Sequence, residues 1–416
     1  MGLSYVTSLR CVACGREHPR DASGTCTACG VEGILDVVFD YDRVKLALSP
    51  ETLWSRPRDA WRCRELIPIH PDSPLPPLHV GWTPIYDAPR LATFAGVKRL
   101  HLKDEGRNPT ASFKDRASSV GVVKAQEAKA RTIACASTGN AASSLAGFAA
   151  SVGLPSVIFV PERAPDPKVT QLLVFGAHVI KVKGTYDQAW ELCQAACARW
   201  GWYNRNCAVN PFLIEGKKTA GHEIAEQVGA EVPDWVAVSV GDGCTIAGVW
   251  KGLREMHRLG FLPRLPRMLG VQAEGAQPIT HAFRTRTPFH PSEATTFADS
   301  ICVGHPRNWR KALAAIEESH GSMVAVADGE IVHAMRMTAR LGAVFGEPAG
   351  AASVAGILHA RTEGIVSATD SVLALVTGSG LKDVRSAQEA AGTPWTVEPA
   401  MTPLEELLRR NHVIGP

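Results

Sequence analysis

The sequence lacks the features of proteins that act on membranes or nucleic acids. Its 416 residues contain no apolar run approaching the about 20 residues that a membrane span requires. There is no long basic run, and the formal net charge of +3 is close to balance, so neither nucleic acid nor an anionic membrane is an expected partner. Residues 1–10 lack the apolar stretch of a secretory signal. We therefore expect a soluble, cytoplasmic protein.

Two common nucleotide-binding motifs are also missing. The chain has no Gly-x-Gly-x-x-Gly and no Walker-type Gly-Lys-Ser, which argues against binding of dinucleotides or nucleoside triphosphates. Hydrophobic residues make up 45% of the chain and charged residues 20%. A globular chain of this length and composition can bury two sizeable cores.

Strand and helix patterns alternate through most of the chain. Strands are predicted over 131–136, 156–160, 178–182, 235–240, 268–273 and 372–376. Helices are predicted from residue 140, near 165–175 and near 186–199, with Gly153 and Gly176 as helix C-terminal glycines. This alternation predicts an α/β fold with parallel sheets flanked by helices.

The segment around Lys114 is the most informative part of the chain. Asn108-Pro109-Thr110 forms a turn that delays any helix until about residue 110. Ser112 is then a candidate N-cap, and Lys114 falls in the first helical turn. The positive end of the helix dipole disfavours an ammonium there, so a neutral amine or a Schiff base is favoured. The alternative is a solvated charge cluster over residues 114–116.

Two further loops follow predicted strands and open helices. Ser137-Thr138-Gly139-Asn140 follows the first strand, and Gly241-Asp242-Gly243-Cys244-Thr245 follows the fourth. Backbone N–H groups at such turns converge on anions, and glycine permits the tight geometry. Together with a reactive lysine they suggest a phosphorylated aldehyde cofactor. Each loop alone could equally be an ordinary connection between a strand and a helix.

The N-terminus carries an independent signal. Two Cys-x2-Cys pairs, Cys11/Cys14 and Cys26/Cys29, are separated by eleven residues, and a glycine follows each pair. This spacing lets four thiolates converge on one zinc ion. We expect a structural, zinc-ribbon-like element; the alternatives are four unliganded thiols and, more weakly, two disulfides. The other seven cysteines are scattered through apolar or helical contexts, as is usual in a reducing cytosol.

The ordered motifs resemble threonine synthase and, more broadly, the fold type II pyridoxal-phosphate (PLP) enzymes, the tryptophan synthase β-like group. The matching segments are 81–84, 103–116, 137–140, 186–189, 210–219, 241–248, 270–276, 347–353 and 377–383. The resemblance implies a homodimer with two α/β domains facing one cleft. We expect a zinc-ribbon-like element over 1–35, a wrapping extension over 36–95, a smaller domain over 96–205 and a larger, cofactor-phosphate domain over 206–416.

The resemblance also implies roles for individual residues. Lys114 would bind the cofactor as a Schiff base and act as the mobile acid and base. Asn140 would hydrogen-bond the 3-oxygen of the cofactor, and Thr377 would face its pyridine nitrogen. Residues that would wrap the cofactor phosphate are Gly241, Asp242, Gly243, Cys244 and Thr245. Residues that would bind the substrate carboxylate are Ser137, Thr138 and Gly139.

The resemblance implies a PLP-dependent lyase that converts O-phospho-L-homoserine and water to L-threonine and phosphate. One departure favours an alternative: many family members have an arginine where this chain has Leu213, and Lys217 and Lys218 are more simply read as exposed helix lysines. The alternative is β-replacement or β-elimination on another amino acid, such as phosphoserine (cysteate-synthase-like), threonine or serine. A third possibility is a zinc-ribbon binding module with an idle α/β body.

Glu347 could line the site or cap its own turn.

Overall fold

The structure, a computed structural model, describes residues 5–164 and 166–415. Its strands are β1 (Val6–Cys11), β2 (Glu17–His18), β3 (Leu35–Phe39), β4 (Ile85–Asp87), β5 (Arg99–Asp104), β6 (Ile133–Ala136), β7 (Ser156–Pro161), β8 (His178–Val182), β9 (Tyr203–Asn204), β10 (Trp235–Ser239), β11 (Arg267–Ala273), β12 (Ser322–Val326) and β13 (Ser371–Val376).

Its α-helices are α1 (Tyr41–Ala47), α2 (Pro50–Trp54), α3 (Pro89–Ala95), α4 (Lys114–Glu127), α5 (Asn140–Ser151), α6 (Asp166–Val174), α7 (Tyr186–Trp200), α8 (Leu213–Lys217), α9 (Thr219–Val228), α10 (Cys244–Arg258), α11 (Pro278–Thr285), α12 (Trp309–Glu318), α13 (Asp328–Gly342), α14 (Pro348–Thr362), α15 (Val384–Ala391) and α16 (Met401–Arg410). Pro165, which the predicted third helix included, and residues 1–4 and 416 of the predicted domain ranges lie outside the described residues.

Two parallel sheets form the body of the molecule. One has four strands in the order β8-β7-β6-β9, and the other has six in the order β12-β11-β10-β13-β5-β4. Only β4 runs antiparallel to its neighbour in the larger sheet. Every residue of β6 and β10 is buried, as expected for strands that helices cover on both faces. The predicted α/β fold is confirmed.

The pairing of β5 crosses a predicted domain boundary. β5 lies within the range 96–205 predicted for the smaller domain, but it pairs with β13 in the six-stranded sheet. The partner strand is more than 250 residues further along the chain, so no local pattern around β5 could reveal this pairing.

The N-terminal segment packs on the larger sheet through charged contacts. β1, β2 and β3 form a small antiparallel sheet in the order β2-β1-β3. Asp36 of β3 accepts from Lys251 of α10 at 3.2 Å and from Lys311 of α12 at 2.6 Å. These two cations outweigh the effect of burial and lower the pKa of Asp36. The segment is therefore anchored to the helix that follows β10.

A buried ion cluster, the Arg116 cluster, connects α4 to the larger sheet. It consists of Arg116, Glu105, Glu223 and Lys103. The Arg116 guanidinium lies 2.7 Å from Glu105 and 2.6 Å from Glu223. Lys103 Nζ lies 3.2 Å from Glu223, and all four side chains are at most 3% exposed. The cluster fixes the start of α4 relative to β5 and α9.

Among the described residues, no helix has both the length and the apolar character needed to cross a membrane. Gly153 and Gly176 follow α5 and α6 with φ angles of 66° and 79°, which confirms the prediction that both helices end at glycine.

Candidate active site

Four chain segments meet where parallel strands end. β5 leads to Lys114, β6 leads to Asn140, β10 leads to the glycine loop (residues 241–245), and β13 leads to Thr377. Ligands of open α/β sheets bind at the carboxyl ends of strands. Hydrogen bonds join the segments of Lys114 and Asn140 to the end of β13, more than 250 positions from Lys114. Cys244 of the glycine loop lines a cavity with Lys217, whose charge acts on Lys114.

The approach to Lys114 is tightly held. Ala111 has a φ of 62°, a left-handed conformation that costs a non-glycine residue about 1–2 kcal/mol. Its carbonyl accepts from the backbone N–H of Ser379 at 3.0 Å, and the carbonyl of Thr377 accepts from the N–H of Phe113 at 2.8 Å. These two hydrogen bonds join the lysine segment to the end of β13.

The predicted N-cap was wrong by one residue. Phe113 occupies the N-cap position of α4, and no side chain caps the helix there. Ser112 is fully buried, and its Oγ has no partner among the described residues. A buried hydroxyl without a partner is unusual, and here it lies two residues before Lys114 in the sequence.

The surroundings of Lys114 lower the pKa of its amine and so favour the neutral form. Burial lowers the pKa of its amine, and the nearby ammonium of Lys217 lowers it further. The alternative of a solvated charge cluster is wrong, because Asp115 and Arg116 are completely buried. Asp115 accepts from the N–H of Thr110 at 2.6 Å, so it braces the approach loop instead of facing water.

Asn140 and Glu347 face each other across the cleft. The Asn140 amide Nδ2 donates to both carboxylate oxygens of Glu347, at 2.8 and 2.9 Å. Glu347 precedes α14 but makes no side-chain capping hydrogen bond, so the turn-capping alternative is wrong. Burial raises the pKa of Glu347. The amide is held in one orientation at the first position of α5.

The glycine loop brings a helix N-terminus to the same cleft. Gly243 has a φ of 88°, and α10 begins at the next residue, Cys244. The unpaired N–H groups of the first turn of this 15-residue helix provide donors for an anion. The carboxylate of Asp242 points elsewhere, since its Oδ1 accepts from the backbone N–H of Arg307 at 2.8 Å.

The Ser137–Gly139 turn lines the open side of the cleft. Thr138 and Gly139 border a space of about 410 Å³, together with Asn140, Glu347 and Lys382. Lys382 Nζ donates to Ser143 and Gln171 at 2.8 and 2.9 Å, which joins α5 and α6 to the segment after β13.

Two buried lysines were mispredicted as exposed. Lys217 is 2% exposed and Lys218 is 0% exposed. Lys218 pairs with Glu215 and Glu255 at 2.6 and 2.8 Å, so it is part of the core. Lys217 Nζ lies 3.3 Å from the sulfur of Cys207. No sequence signal linked Cys207 to the site; only the fold brings it there.

Comparison with known proteins agrees with this geometry. A family model described as pyridoxal-phosphate dependent enzyme matches residues 77–378. A threonine synthase of Methanocaldococcus jannaschii is 39% identical over 405 residues, which covers 96% of this chain and 99% of that protein. A threonine synthase of Mycobacterium bovis is 39% identical over 321 residues, covering 77% of this chain and 87% of that protein.

The chain belongs to the threonine synthase family of PLP-dependent enzymes.

As a member of this family it is a PLP-dependent lyase. Its fold also occurs in enzymes that are not threonine synthases. The solved structure of maize serine racemase aligns with a TM-score of 0.64 at 22% identity, covering 79% of this chain and 93% of that one. The residues present fit the cofactor of the family. The cleft has a lysine with a lowered pKa, a fixed amide donor, and a helix N-terminus for a phosphate.

Gly243 provides a test of the glycine loop. A Cβ at this position would lie 2.9 Å from the carbonyl oxygen of Asn308, so Gly243→Ala should displace the loop and weaken cofactor binding about tenfold or more. Gly260→Ala is the matched control, since Gly260 has the same φ of 88° but no atom within 4 Å of its Cβ position. Both variants carry a similar backbone cost of about 1–2 kcal/mol. The measurement is a PLP titration followed by absorbance. Equal PLP affinity in the two variants would contradict the assignment.

Proposed function

We propose that this protein converts O-phospho-L-homoserine and water to L-threonine and phosphate. The supporting observation is the convergence of Lys114, Asn140 and the glycine loop at the strand ends of a chain that matches threonine synthases over nearly its whole length. The substrate is a small amino acid, and it would enter beside the Ser137–Gly139 turn.

The chain provides a specific set of groups for the cofactor. Lys114 would hold it covalently, and the N–H groups of Gly243, Cys244 and Thr245 would bind its phosphate. The Asn140 amide, oriented by Glu347, would donate to its 3-oxygen. Bound there, PLP would provide the electron sink that stabilises negative charge on substrate carbons.

Thr377 would face the pyridine nitrogen of the cofactor. A hydroxyl there, unlike a carboxylate, leaves this nitrogen largely unprotonated, which suits elimination and replacement more than transamination.

Lys114 would also move the protons. Its amine is favoured in the neutral form by burial and by the charge of Lys217, and a neutral amine can accept a proton where an ammonium cannot. Attachment at the first position of α4 keeps the amine near the reacting carbons. The hydroxyl and amide donors of Ser137, Thr138 and Gly139 would bind the substrate carboxylate.

A second candidate, β-elimination or β-replacement on another amino acid, is favoured by one feature. Leu213 is 1% exposed, and a Cβ on Gly121 of α4 would lie 3.1 Å from its side chain. It therefore packs against α4 and offers no charge to a substrate phosphate. Lys217 lies at the other end of the short helix α8.

Three parallel assays of the PLP-loaded protein distinguish the candidates. Phosphohomoserine alone should yield threonine and phosphate in equal amounts. Phosphoserine with sulfite, and threonine alone, are the matched tests of replacement and deamination. Turnover of phosphoserine or threonine without turnover of phosphohomoserine would refute the first proposal and support the second.

We further propose that Cys11, Cys14, Cys26 and Cys29 bind one structural zinc ion. Their four sulfur atoms lie within 4.8 Å of one another, and all four are free thiols, which favours zinc over the two disulfides. Gly15 and Gly30 have φ angles of 73° and 57°, the turn geometry expected after each pair. A four-sulfur shell leaves no position for catalysis.

Cys26→Ser should abolish the zinc content and destabilise the chain. Structural zinc in small metal-dependent folds contributes on the order of 10 kcal/mol of binding free energy, although here the packing of β3 on the body would retain part of the fold. The measurement is zinc per chain by elemental analysis, with thermal unfolding alongside. Cys302→Ser, a change of a cysteine outside the cluster, is the control and should retain one zinc per chain. A zinc-free wild-type chain would refute this proposal.

The homodimer and the cytoplasmic location that the resemblance implies are part of the same proposal. Light scattering on the purified protein would test the first, and cell fractionation the second.

A further inference from the structure

Two cysteines from distant segments meet beside the glycine loop. Cys207 follows β9 and is partly exposed, and Cys244 is the first residue of α10. Both line one cavity together with Lys217. Each of the two sulfurs shifts the pKa of the other thiol. None of the roles described above uses the sulfur of either residue.

The surroundings make Cys207 the nucleophile of the pair. Lys217 Nζ lies 3.3 Å from its sulfur, and a guanidinium nitrogen of Arg205 lies 3.6 Å away. The neighbouring Cys244 thiol, together with these two cations, lowers the pKa of Cys207 well below its usual range. The interaction with Cys207, and burial, raise the pKa of Cys244. These surroundings favour the thiolate form at Cys207 and the thiol form at Cys244.

We propose that Cys207 and Cys244 form an oxidation-sensitive dithiol that hydrogen peroxide converts to a disulfide, and that this disulfide weakens binding of the cofactor at the glycine loop. The Cys207 thiolate attacks one oxygen of the peroxide, whose O–O bond breaks, giving a sulfenic acid and, after protonation, water. The sulfur of Cys244 then attacks the sulfenic sulfur, forming the S–S bond and releasing a second water. Two thiols are oxidised, and one peroxide is reduced to two waters.

The effect on the cofactor follows from the position of Cys244. Its backbone N–H belongs to the first turn of α10, and a covalent bond to Cys207 would pull this turn toward the segment after β9. The disulfide would also remove the thiolate beside Lys217 and leave that buried ammonium without its sulfur partner. The second part of the inference rests on the proposed cofactor site, whereas formation of the disulfide does not.

A second thiol pair provides an internal control. Cys193 and Cys197 lie one turn apart on α7 and are buried in an apolar cluster with Phe159. The pKa of Cys193 is also lowered, by Cys197 and Asn206, but no lysine or arginine contributes to that shift. Because the sulfur of Cys193 is fully buried and has no cation beside it, peroxide should oxidise Cys207, which is partly exposed, about tenfold faster than Cys193.

The test treats the full-length, PLP-loaded protein with a small excess of hydrogen peroxide. After remaining thiols are alkylated, peptide mass spectrometry should find Cys207 linked to Cys244, and dithiothreitol should reverse the link. PLP affinity, measured on the same samples, should fall about tenfold and recover on reduction. In Cys207→Ser, peroxide should change affinity little relative to the untreated variant, whereas Cys193→Ser should respond like the wild type.

The possible outcomes separate the two parts of the inference. Over-oxidation of Cys207 without a link, or links confined to other cysteines, would overturn the dithiol. A mapped Cys207–Cys244 link with unchanged PLP affinity would overturn the coupling to the cofactor. Failure of the cofactor assignment itself would instead appear in untreated protein, as a chain that does not bind PLP.

Discussion

Replacing Lys114 by alanine should abolish both covalent attachment of the cofactor and turnover. Lys114 lies at the meeting point of four strand ends, and burial and Lys217 lower the pKa of its amine. Loss of a residue that both binds the cofactor and moves protons should reduce the rate by at least about a thousandfold. The measurements are the visible absorbance of the PLP-loaded protein and steady-state turnover.

Borohydride reduction provides the decisive control. In the wild type, the reduced cofactor should remain on the peptide containing Lys114, and Lys98→Ala, a change at an exposed lysine, should give the same result. Lys217 is also a buried amine near the cleft. An adduct on Lys217, or visible absorbance that persists in Lys114→Ala, would contradict the assignment.

Arg116→Met should reduce the free energy of unfolding by about 3–5 kcal/mol, because it leaves two buried carboxylates without their shared partner. Arg116 is completely buried between Glu105 and Glu223. Urea unfolding would measure the change. Arg409→Met is the matched control: the exposed pair between Arg409 and Glu405 should contribute less than about 1 kcal/mol. Equal effects in the two variants would contradict the role of the cluster.

The same cluster should make stability depend on acid. Burial would raise the pKa of Glu223, but Arg116 and Lys103 outweigh it and lower that pKa from 4.5 to about 2. A carboxylate with a lowered pKa in the folded state contributes its full stabilisation above the unfolded pKa. That contribution is lost as the pH falls from about 4.5 through about 2. In Arg116→Met this acid-dependent loss should be smaller, because Arg116 no longer lowers the pKa of Glu223.

The sequence predicted the elements that depend on local patterns. The strand at 178–182 has the predicted limits, and those at 131–136, 156–160, 235–240, 268–273 and 372–376 differ from the structure by at most two residues. Short apolar runs bounded by turn residues specify such strands directly. The placement of Lys114 in a first helical turn is equally local, since Pro109 and the following apolar spacing determine it.

Other features depend on contacts between distant segments. Asn140 and Glu347 are separated by 207 positions, and no local pattern predicts that an amide will orient against that carboxylate. Lys217 was predicted to be exposed because a pair of lysines on a short helix usually is. Its burial follows from the packing of α8 against α4, where a Cβ on Gly216 would lie 2.0 Å from the Arg116 carbonyl oxygen.

The contacts of Asp36 connect the four-cysteine segment to the body of the enzyme. Its carboxylate is a shared counter-ion for Lys251 and Lys311, and Lys251 also donates to the carbonyl of Val37 at 2.7 Å. A chain trimmed to begin after β3 would leave both ammonium groups without this acceptor. One of them, Lys251, lies on α10, the helix whose first turn borders the cleft. The segment is therefore a structural part of the catalytic body and not a separable module.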